Sequence, residues 1–168
     1  MAIRLSPEDF WSFSLALYCR APVAQACLSL QDRRGADVNL LLAICWLAAR
    51  GYEASVDALP AAMAAADPWN EAILKPLRST RRRLGADFSD IGQGDQQSIK
   101  HGILSVELEC ERVAQQKIAA ALEPYALELS HAPARDLAAT GLDRYLAAVV
   151  GIPDAQDQAD IAAILAPL

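Results

Sequence analysis

Apolar residues recur along this chain with the spacing of α-helices, most clearly in its first third. Residues 10–51 predict two amphipathic helices followed by a third that is apolar almost all round. Because a helix without a polar face must be covered on every side, this third helix, at about residues 37–50, is expected at the centre of a bundle. Its main face is formed by Val38, Leu41, Leu42, Cys45, Trp46 and Ala49. We expect four of these to be almost fully buried: Leu41, Leu42, Cys45 and Trp46.

Local signals mark where these helices begin and end. Ser6 followed by Pro7 predicts the start of the first helix, since serine caps free N–H groups and proline suits the first helical position. Gly35 is expected to end the second helix. Asp37 is expected to cap the third.

Five further helical segments are predicted after Gly51: from Ser55 or Asp57 to Met63, from Asp67 to Leu84, and over 98–122, 135–150 and 156–165. The Asp67-Pro68 pair is a start signal, and Pro76 should kink or split the segment that contains it. In the longest segment the predicted core face consists of Ile99, Ile103, Val106, Cys110, Val113 and Ala114. Strand-like runs are nearly absent. The sequence therefore predicts an all-α, single-domain helical bundle of six to eight helices that spans residues 1–168.

Composition narrows the class of protein. Apolar residues make up 54% of the 168 positions, which argues against disorder, and the net charge of −6 disfavours nucleic acid as a partner. The longest apolar run, residues 40–49, is about half of a membrane span, and the first residues lack the pattern of a signal peptide. The four cysteines have no C-x-x-C spacing, so we expect reduced thiols packed in apolar faces and a cytoplasmic location; a disulfide or zinc site is the minor alternative.

Two glutamates in the longest helix are candidates for a polar site. Glu107 and Glu111 are four residues apart, which places them on one side of the helix between apolar rows. Arg81 lies within an apolar stripe of the preceding helix, so we expect Glu107 or Glu111 to pair with Arg78, Arg81 or Arg82. A carboxylate metal site is the alternative, but no Glu-x-x-His spacing accompanies these acids. The basic concentration at residues 75–83 contacts either these acids or an anionic partner.

A second polar group flanks the start of the central helix. Gln31 and Asp32 precede Gly35, and Asp37 and Asn39 follow it. We expect Gln31 or Asp32 to bind free N–H groups at the start of the third helix in a locking hydrogen-bond network. A polar ligand pocket formed by the same residues is the alternative.

Several stretches resemble the signature of a proteobacterial family of conserved hypothetical proteins of about this length. The resemblance is carried by FWxFSLxxY at residues 10–18, CLxLQDxxGxDVNLLL at 27–42, Trp46, and the segments 76–82 and 107–112. The family is described as a domain of unknown function. The resemblance implies a small cytoplasmic bacterial protein and brings no activity, cofactor or catalytic residue with it.

These observations favour a non-enzymatic interaction or adaptor protein whose partner is another protein, without a membrane or a cofactor. No catalytic residue and no metal ligand is assigned. The alternative is a small-molecule or metal-dependent enzyme with a carboxylate-lined pocket between helices. The residues predicted to form the polar pocket or the partner contact are Gln31, Asp32, Asp37, Asn39, Arg78, Arg81, Arg82, Glu107 and Glu111.

Overall fold

The computed structural model describes residues 5–88, 90–125 and 129–168. Within these ranges the chain forms eight α-helices and one short π-helical segment: α1 (Pro7–Tyr18), α2 (Ala21–Arg34), α3 (Val38–Ala49), α4 (Ala58–Trp69), the π segment (Asn70–Leu74), α5 (Lys75–Ala86), α6 (Gln93–Leu122), α7 (Ala134–Val150) and α8 (Ala155–Leu165). The ranges contain no strand, only an isolated bridge between Tyr52 and Leu129. The predicted all-α bundle is confirmed.

Helix α3 is the centre of this bundle, as its sequence predicts. Every residue from Asn39 to Ala48 is buried, and α1, α2, α6 and α7 pack around the helix. Leu41, Cys45 and Trp46 are 0% exposed, and Leu42 is buried as well. Among the described helices, none is by itself both long and apolar enough to cross a membrane; α1 and α2 reach that criterion only together, across a bend of 102°.

The helix ends predicted for the first third of the chain are confirmed. The Ser6 hydroxyl accepts a hydrogen bond from the Asp9 N–H, and the Asp37 carboxylate accepts one from the Asn39 N–H at 2.8 Å. Gly35 ends α2 with a φ of +72°, a left-handed conformation that glycine adopts without steric cost. Local interactions of Ser6, Gly35 and Asp37 thus set these helix ends.

The region after the central helix differs from its prediction. Pro68 lies inside α4 instead of starting a new helix, and α4, the π segment and α5 follow one another without a break. Packing of α4 along α6 overrides the local start signal of Asp67-Pro68. Pro76 lies in the first turn of α5, directly after the π segment, where its missing N–H is tolerated.

The predicted core face of the longest helix is also corrected. In α6, Ile99 and Val106 are about half exposed, and of the six predicted core residues only Ala114 is buried. The buried residues of α6 are Glu107, Ala114, Gln115, Ile118, Ala119 and Leu122. The reason is that α5, a neighbour of α6, is highly charged and has no buried residue of its own, so it offers no apolar cover to the first half of α6.

An ionic junction that the sequence pattern did not reveal joins α2 to α8. Arg33 donates to Asp157 and to Asp160 at 2.9 Å each, and Arg34 donates to Asp157 at 3.0 Å. Hydrogen bonds from Arg34 hold the pKa of the Asp157 carboxyl at about 2. Asp157 also completes a capping box with Asp154 at the start of α8. These pairs fix α8 against the end of α2.

Helices α3 and α7 approach closely at Gly141. A Cβ atom at this position would lie 2.6 Å from the Cγ2 atom of Ile44, a buried, branched side chain with little freedom to move. We therefore expect Gly141→Ala to lower the free energy of unfolding by about 1–3 kcal/mol, although alanine has the higher helix propensity. Urea denaturation followed by circular dichroism measures the change.

The matched control is Gly102→Ala in α6. A Cβ atom there meets nothing within 4 Å, so this substitution should raise the stability by about 0.5–1 kcal/mol through helix propensity alone. Equal effects of the two substitutions would contradict the close approach of α3 and α7.

Candidate functional site

The predicted pairing of α5 arginines with α6 glutamates is confirmed, and it lies beside the start of α3. Arg78 donates to one carboxylate oxygen of Glu111, and the side-chain amide of Asn39 donates to the other. The Arg78 and Glu111 side chains are both largely buried. Glu111 is therefore an ionised acceptor with partners on both oxygens.

The second pair is bidentate. Arg81 donates through Nε to Oε1 of Glu107 at 2.7 Å and through Nη2 to Oε2 at 3.1 Å. Glu107 is 5% exposed, and its hydrogen bonds raise the pKa of the Arg81 guanidinium above its usual value. The planar fork of arginine matches both carboxylate oxygens, so this buried acid has a charged partner on each oxygen.

A chain of side-chain amides leads from Glu111 through Asn39 of α3 and back to Gln115 of α6. The Nε2 atom of Gln115 donates to the Oδ1 atom of Asn39 at 3.0 Å, and Asn39 in turn donates to Glu111. Gln115 lies four residues after Glu111 and eight after Glu107, so the three side chains share one side of α6. This spacing is the sequence signal that could have identified Gln115.

Asp37 lies at the start of α3, two residues before Asn39. Its second carboxylate oxygen accepts a hydrogen bond from the Asn70 amide at 3.2 Å, and its backbone N–H donates to the Tyr145 hydroxyl at 2.7 Å. Burial raises the pKa of the Asp37 carboxyl to about 6. Asp37 thus connects α3, the π segment and α7.

Above the ion pairs is a groove of about 220 Å³, open to solvent, between α1, α2, α3, α5 and α6. Its apolar and aromatic wall consists of Trp11, Leu15, Tyr18, Leu28, Val38, Leu42, Leu104 and Leu108. Its polar floor and edge consist of Ser14, Gln31, Asn39, Arg78, Arg81, Arg82, Glu107, Glu111 and Gln115. A concave apolar surface with a few convergent polar groups is typical of a binding site.

Two residues that line the groove each carry a buried polar atom without a hydrogen-bond partner among the described residues. The atoms are the hydroxyl of Ser14, a residue that is 3% exposed, and the Oε1 atom of Gln115, a residue that is 2% exposed. Buried polar groups in proteins are nearly always paired. These two atoms are therefore the unsatisfied hydrogen-bonding groups among the residues of the groove.

The structure brings most of the predicted site residues together. Those that line the groove are Gln31, Asn39, Arg78, Arg81, Arg82, Glu107 and Glu111. The expected role of Gln31 or Asp32 in binding the start of α3 is wrong, because Asp37 itself accepts the free N–H. Asp32 is exposed and instead accepts a hydrogen bond from Arg82 at 2.9 Å. The groove is also lined by Trp11, Ser14, Tyr18 and Gln115, which the sequence pattern does not single out as site residues.

A second concavity of about 340 Å³ adjoins the groove on its basic side. It is lined by Gln31, Asp32, Gly35, Ala36, Asn70, Lys75, Arg78, Ser79, Arg82 and Arg83. Each of its basic side chains already has an acidic partner: Glu71 for Lys75, Glu111 for Arg78, Asp32 for Arg82 and Asp87 for Arg83. The basic segment thus contacts the protein's own acids.

The four cysteines are free thiols. Cys27 and Cys45 are buried in the core and Cys110 is partly covered, whereas Cys19 is exposed and does not lie in an apolar face as predicted. Burial raises the pKa of the Cys27 thiol to about 12 and also raises that of Cys45. Within the described ranges, no group of three or more histidine, cysteine, aspartate and glutamate side chains is arranged to hold a metal ion.

Comparison with known proteins identifies a family but no characterised relative. No curated protein and no solved structure matches the chain. The model of the family described as "Protein of unknown function (DUF2390)" matches residues 9–118, a segment that contains most of α1, all of α2 to α5, most of α6 and every residue of the groove. Because this match covers well over half of the 168 residues, the chain belongs to the DUF2390 family.

Proposed function

We propose that this protein is a non-enzymatic interaction protein that binds an apolar, amphipathic helix of another protein in its groove. The observation that carries the proposal is a rim of large apolar side chains left in contact with water. Leu15, Leu28, Leu104 and Leu108 are 48%, 42%, 50% and 50% exposed, and all four line the groove. Contiguous exposed apolar side chains around a concave surface are typical of sites where proteins bind.

The arrangement of the rim supports a helix as the occupant. The leucines come from α1, α2 and α6, so helices form the walls on both sides of the groove. An amphipathic helix binds such a groove by placing apolar residues at positions i, i+3 or i+4, and i+7 into it. Trp11 and Tyr18 add aromatic surface to the same walls, and aromatic residues are enriched where protein interfaces are strongest.

We place this binding in the bacterial cytoplasm. The exposed thiol of Cys19 and the other three free cysteines support a reducing compartment. The resemblance to a proteobacterial family supports the bacterial host.

A photo-crosslinking amino acid tests the proposal in living cells. We expect p-benzoylphenylalanine in place of Leu104 to crosslink to a partner protein in the native host, and mass spectrometry should locate the crosslink in an amphipathic helix. The matched control position is Ile152, which is 91% exposed and lies between α7 and α8, outside the groove. The same crosslinks from Ile152, or none from Leu104, would contradict the proposal.

Affinity for the purified partner provides the second readout. We expect Leu108→Ser to weaken the dissociation constant about tenfold or more, which corresponds to roughly 1.4 kcal/mol. Val56→Ser removes an apolar side chain that is more exposed, at 66%, and lies outside the groove, so it should leave the constant unchanged. Equal effects of the two substitutions would rule out the groove as the binding surface.

An enzyme that uses the same acids has less support. A carboxylate acts as a general base or a metal ligand through a lone pair that is free to react. Both oxygens of Glu107 accept from Arg81, while one oxygen of Glu111 accepts from Arg78 and the other from Asn39. Both acids are therefore already held by partners within the protein.

A further inference from the structure

We infer that the floor of the groove selects an occupant with a neutral hydrogen-bond donor, such as a hydroxyl or a primary amide, carried on an apolar stem. The inference rests on the groove being a binding site, as proposed above, and names the chemistry that the site recognises. It is carried by the direction of the hydrogen bonds that lead from Glu111 to Gln115 and by two unpartnered atoms, one at the end of that chain and one on Ser14, which lines the same groove.

The direction of the chain is set by Glu111. An ionised carboxylate can only accept hydrogen bonds, so Asn39 must turn its amide nitrogen toward Glu111. The carbonyl oxygen of Asn39 then faces Gln115 and accepts from its amide nitrogen. The Oε1 atom of Gln115 is left at the end of the chain as a buried acceptor without a donor.

The Ser14 hydroxyl supplies the second polar group. It lies on α1, lines the same groove, and has no partner among the described residues. A hydroxyl both donates and accepts. A hydroxyl or a primary amide can donate to the free acceptor of Gln115, and either group can also pair with the Ser14 hydroxyl.

The charges around the floor select against an ionised group. Arg81 and Arg78 are already paired with Glu107 and Glu111, so the two positive and two negative charges compensate one another. A carboxylate on the occupant would bring no donor to Gln115. An ammonium group would lose its hydration between leucine side chains without a free counter-ion.

The size of the groove fits a small polar head on an apolar stem. Its volume of about 220 Å³ lies below the range of roughly 300–1,000 Å³ that is usual for small-molecule pockets. In the helical partner proposed above, the inference predicts a serine, threonine, asparagine or glutamine side chain among the apolar residues that enter the groove.

A series of six-carbon compounds with different heads tests the inference. Hexanamide, 1-hexanol, hexanoate and hexylammonium are titrated into the purified protein, and binding is followed by nuclear magnetic resonance of backbone and side-chain amides. We expect hexanamide and 1-hexanol to shift the signals of groove residues and to bind about tenfold more tightly than the two charged compounds. Equal or tighter binding of hexanoate or hexylammonium, or no shift in the groove with any compound, would overturn the inference.

Variants of α1 and α6 assign the preference to the floor. Ser14→Ala should weaken hexanamide binding severalfold, whereas Ser12→Ala, an exposed serine on the same helix, should leave it unchanged. Gln115→Met should abolish the preference for the neutral donors. If Gln115→Met does not fold, the head-group series on the unaltered protein and the Ser14 variant still decide the question.

The two proposals fail separately. A neutral-donor preference without any crosslinked protein at Leu104 would retain the floor chemistry and reject the helical partner. A helical partner that enters the groove with apolar or charged side chains alone would retain the interaction and reject the inference.

Discussion

Replacement of Trp46 by alanine is expected to lower the free energy of unfolding by about 3–5 kcal/mol, the range observed when a large aromatic side chain is removed from a core. Trp46 is 0% exposed and stacks on Phe10 with ring centroids 4.7 Å apart. Its indole N–H donates to the Asp9 carboxylate at 3.0 Å, which joins α3 to the start of α1. Urea denaturation followed by circular dichroism measures the loss.

Trp46→Phe separates packing from hydrogen bonding. Phenylalanine retains an aromatic ring against Phe10 but has no N–H for Asp9, so most of the stability should return. A loss below about 1 kcal/mol for Trp46→Ala would contradict the position of α3 at the centre of the core.

Arg81→Ala is expected to lower the free energy of unfolding by about 3 kcal/mol or more, because it leaves the buried carboxylate of Glu107 without a partner. Glu107→Ala should lower the stability less, since the Arg81 side chain is 33% exposed and can turn toward water, whereas the Glu107 side chain is only 6% exposed. The double variant should cost less than the sum of the single variants. Stability measured for all four proteins gives the coupling energy of the pair.

The pair Arg83 and Asp87 is the matched control for this cycle. It is also formed by an arginine of α5, at 3.1 Å, but its side chains are 68% and 49% exposed. Water screens such a pair, so its coupling energy should be about 0.3–0.5 kcal/mol. A coupling energy as small for Arg81 and Glu107 would mean that this pair is not desolvated.

The elements that the sequence predicted correctly depend on local chemistry or on a one-sided pattern. Ser6, Gly35 and Asp37 act on neighbouring backbone groups, so their roles can be recognised without knowledge of the fold. The burial of α3 follows from its lack of a polar face. The ion pairs were predictable because Arg81 interrupts an apolar stripe and because Glu107 and Glu111 share one side of α6.

The predictions are wrong where tertiary packing determines the length of a helix or the burial of a side chain. Pro68 signals a helix start, but the contact of α4 with α6 carries the helix through it. The first half of α6 has apolar residues on two sides, and only the charged neighbour α5 determines that Ile99 and Val106 remain exposed. The free acceptor of Gln115 could not be predicted. It depends on the contact of Asn39 in α3 with Glu111 in α6, which forms only when these helices pack together.

The π segment Asn70–Leu74 makes the register of α5 insensitive to the loss of one residue at this point. A π turn holds one residue more than an α turn, so the extra residue is accommodated within a single wider turn. We therefore expect deletion of one residue here to restore a regular α-helix and to leave Arg78 and Arg81 close to Glu111 and Glu107. A one-residue deletion in a regular α-helix, by contrast, rotates everything after it by about 100° around the axis. Relatives that share the groove floor can therefore differ by one residue in this segment.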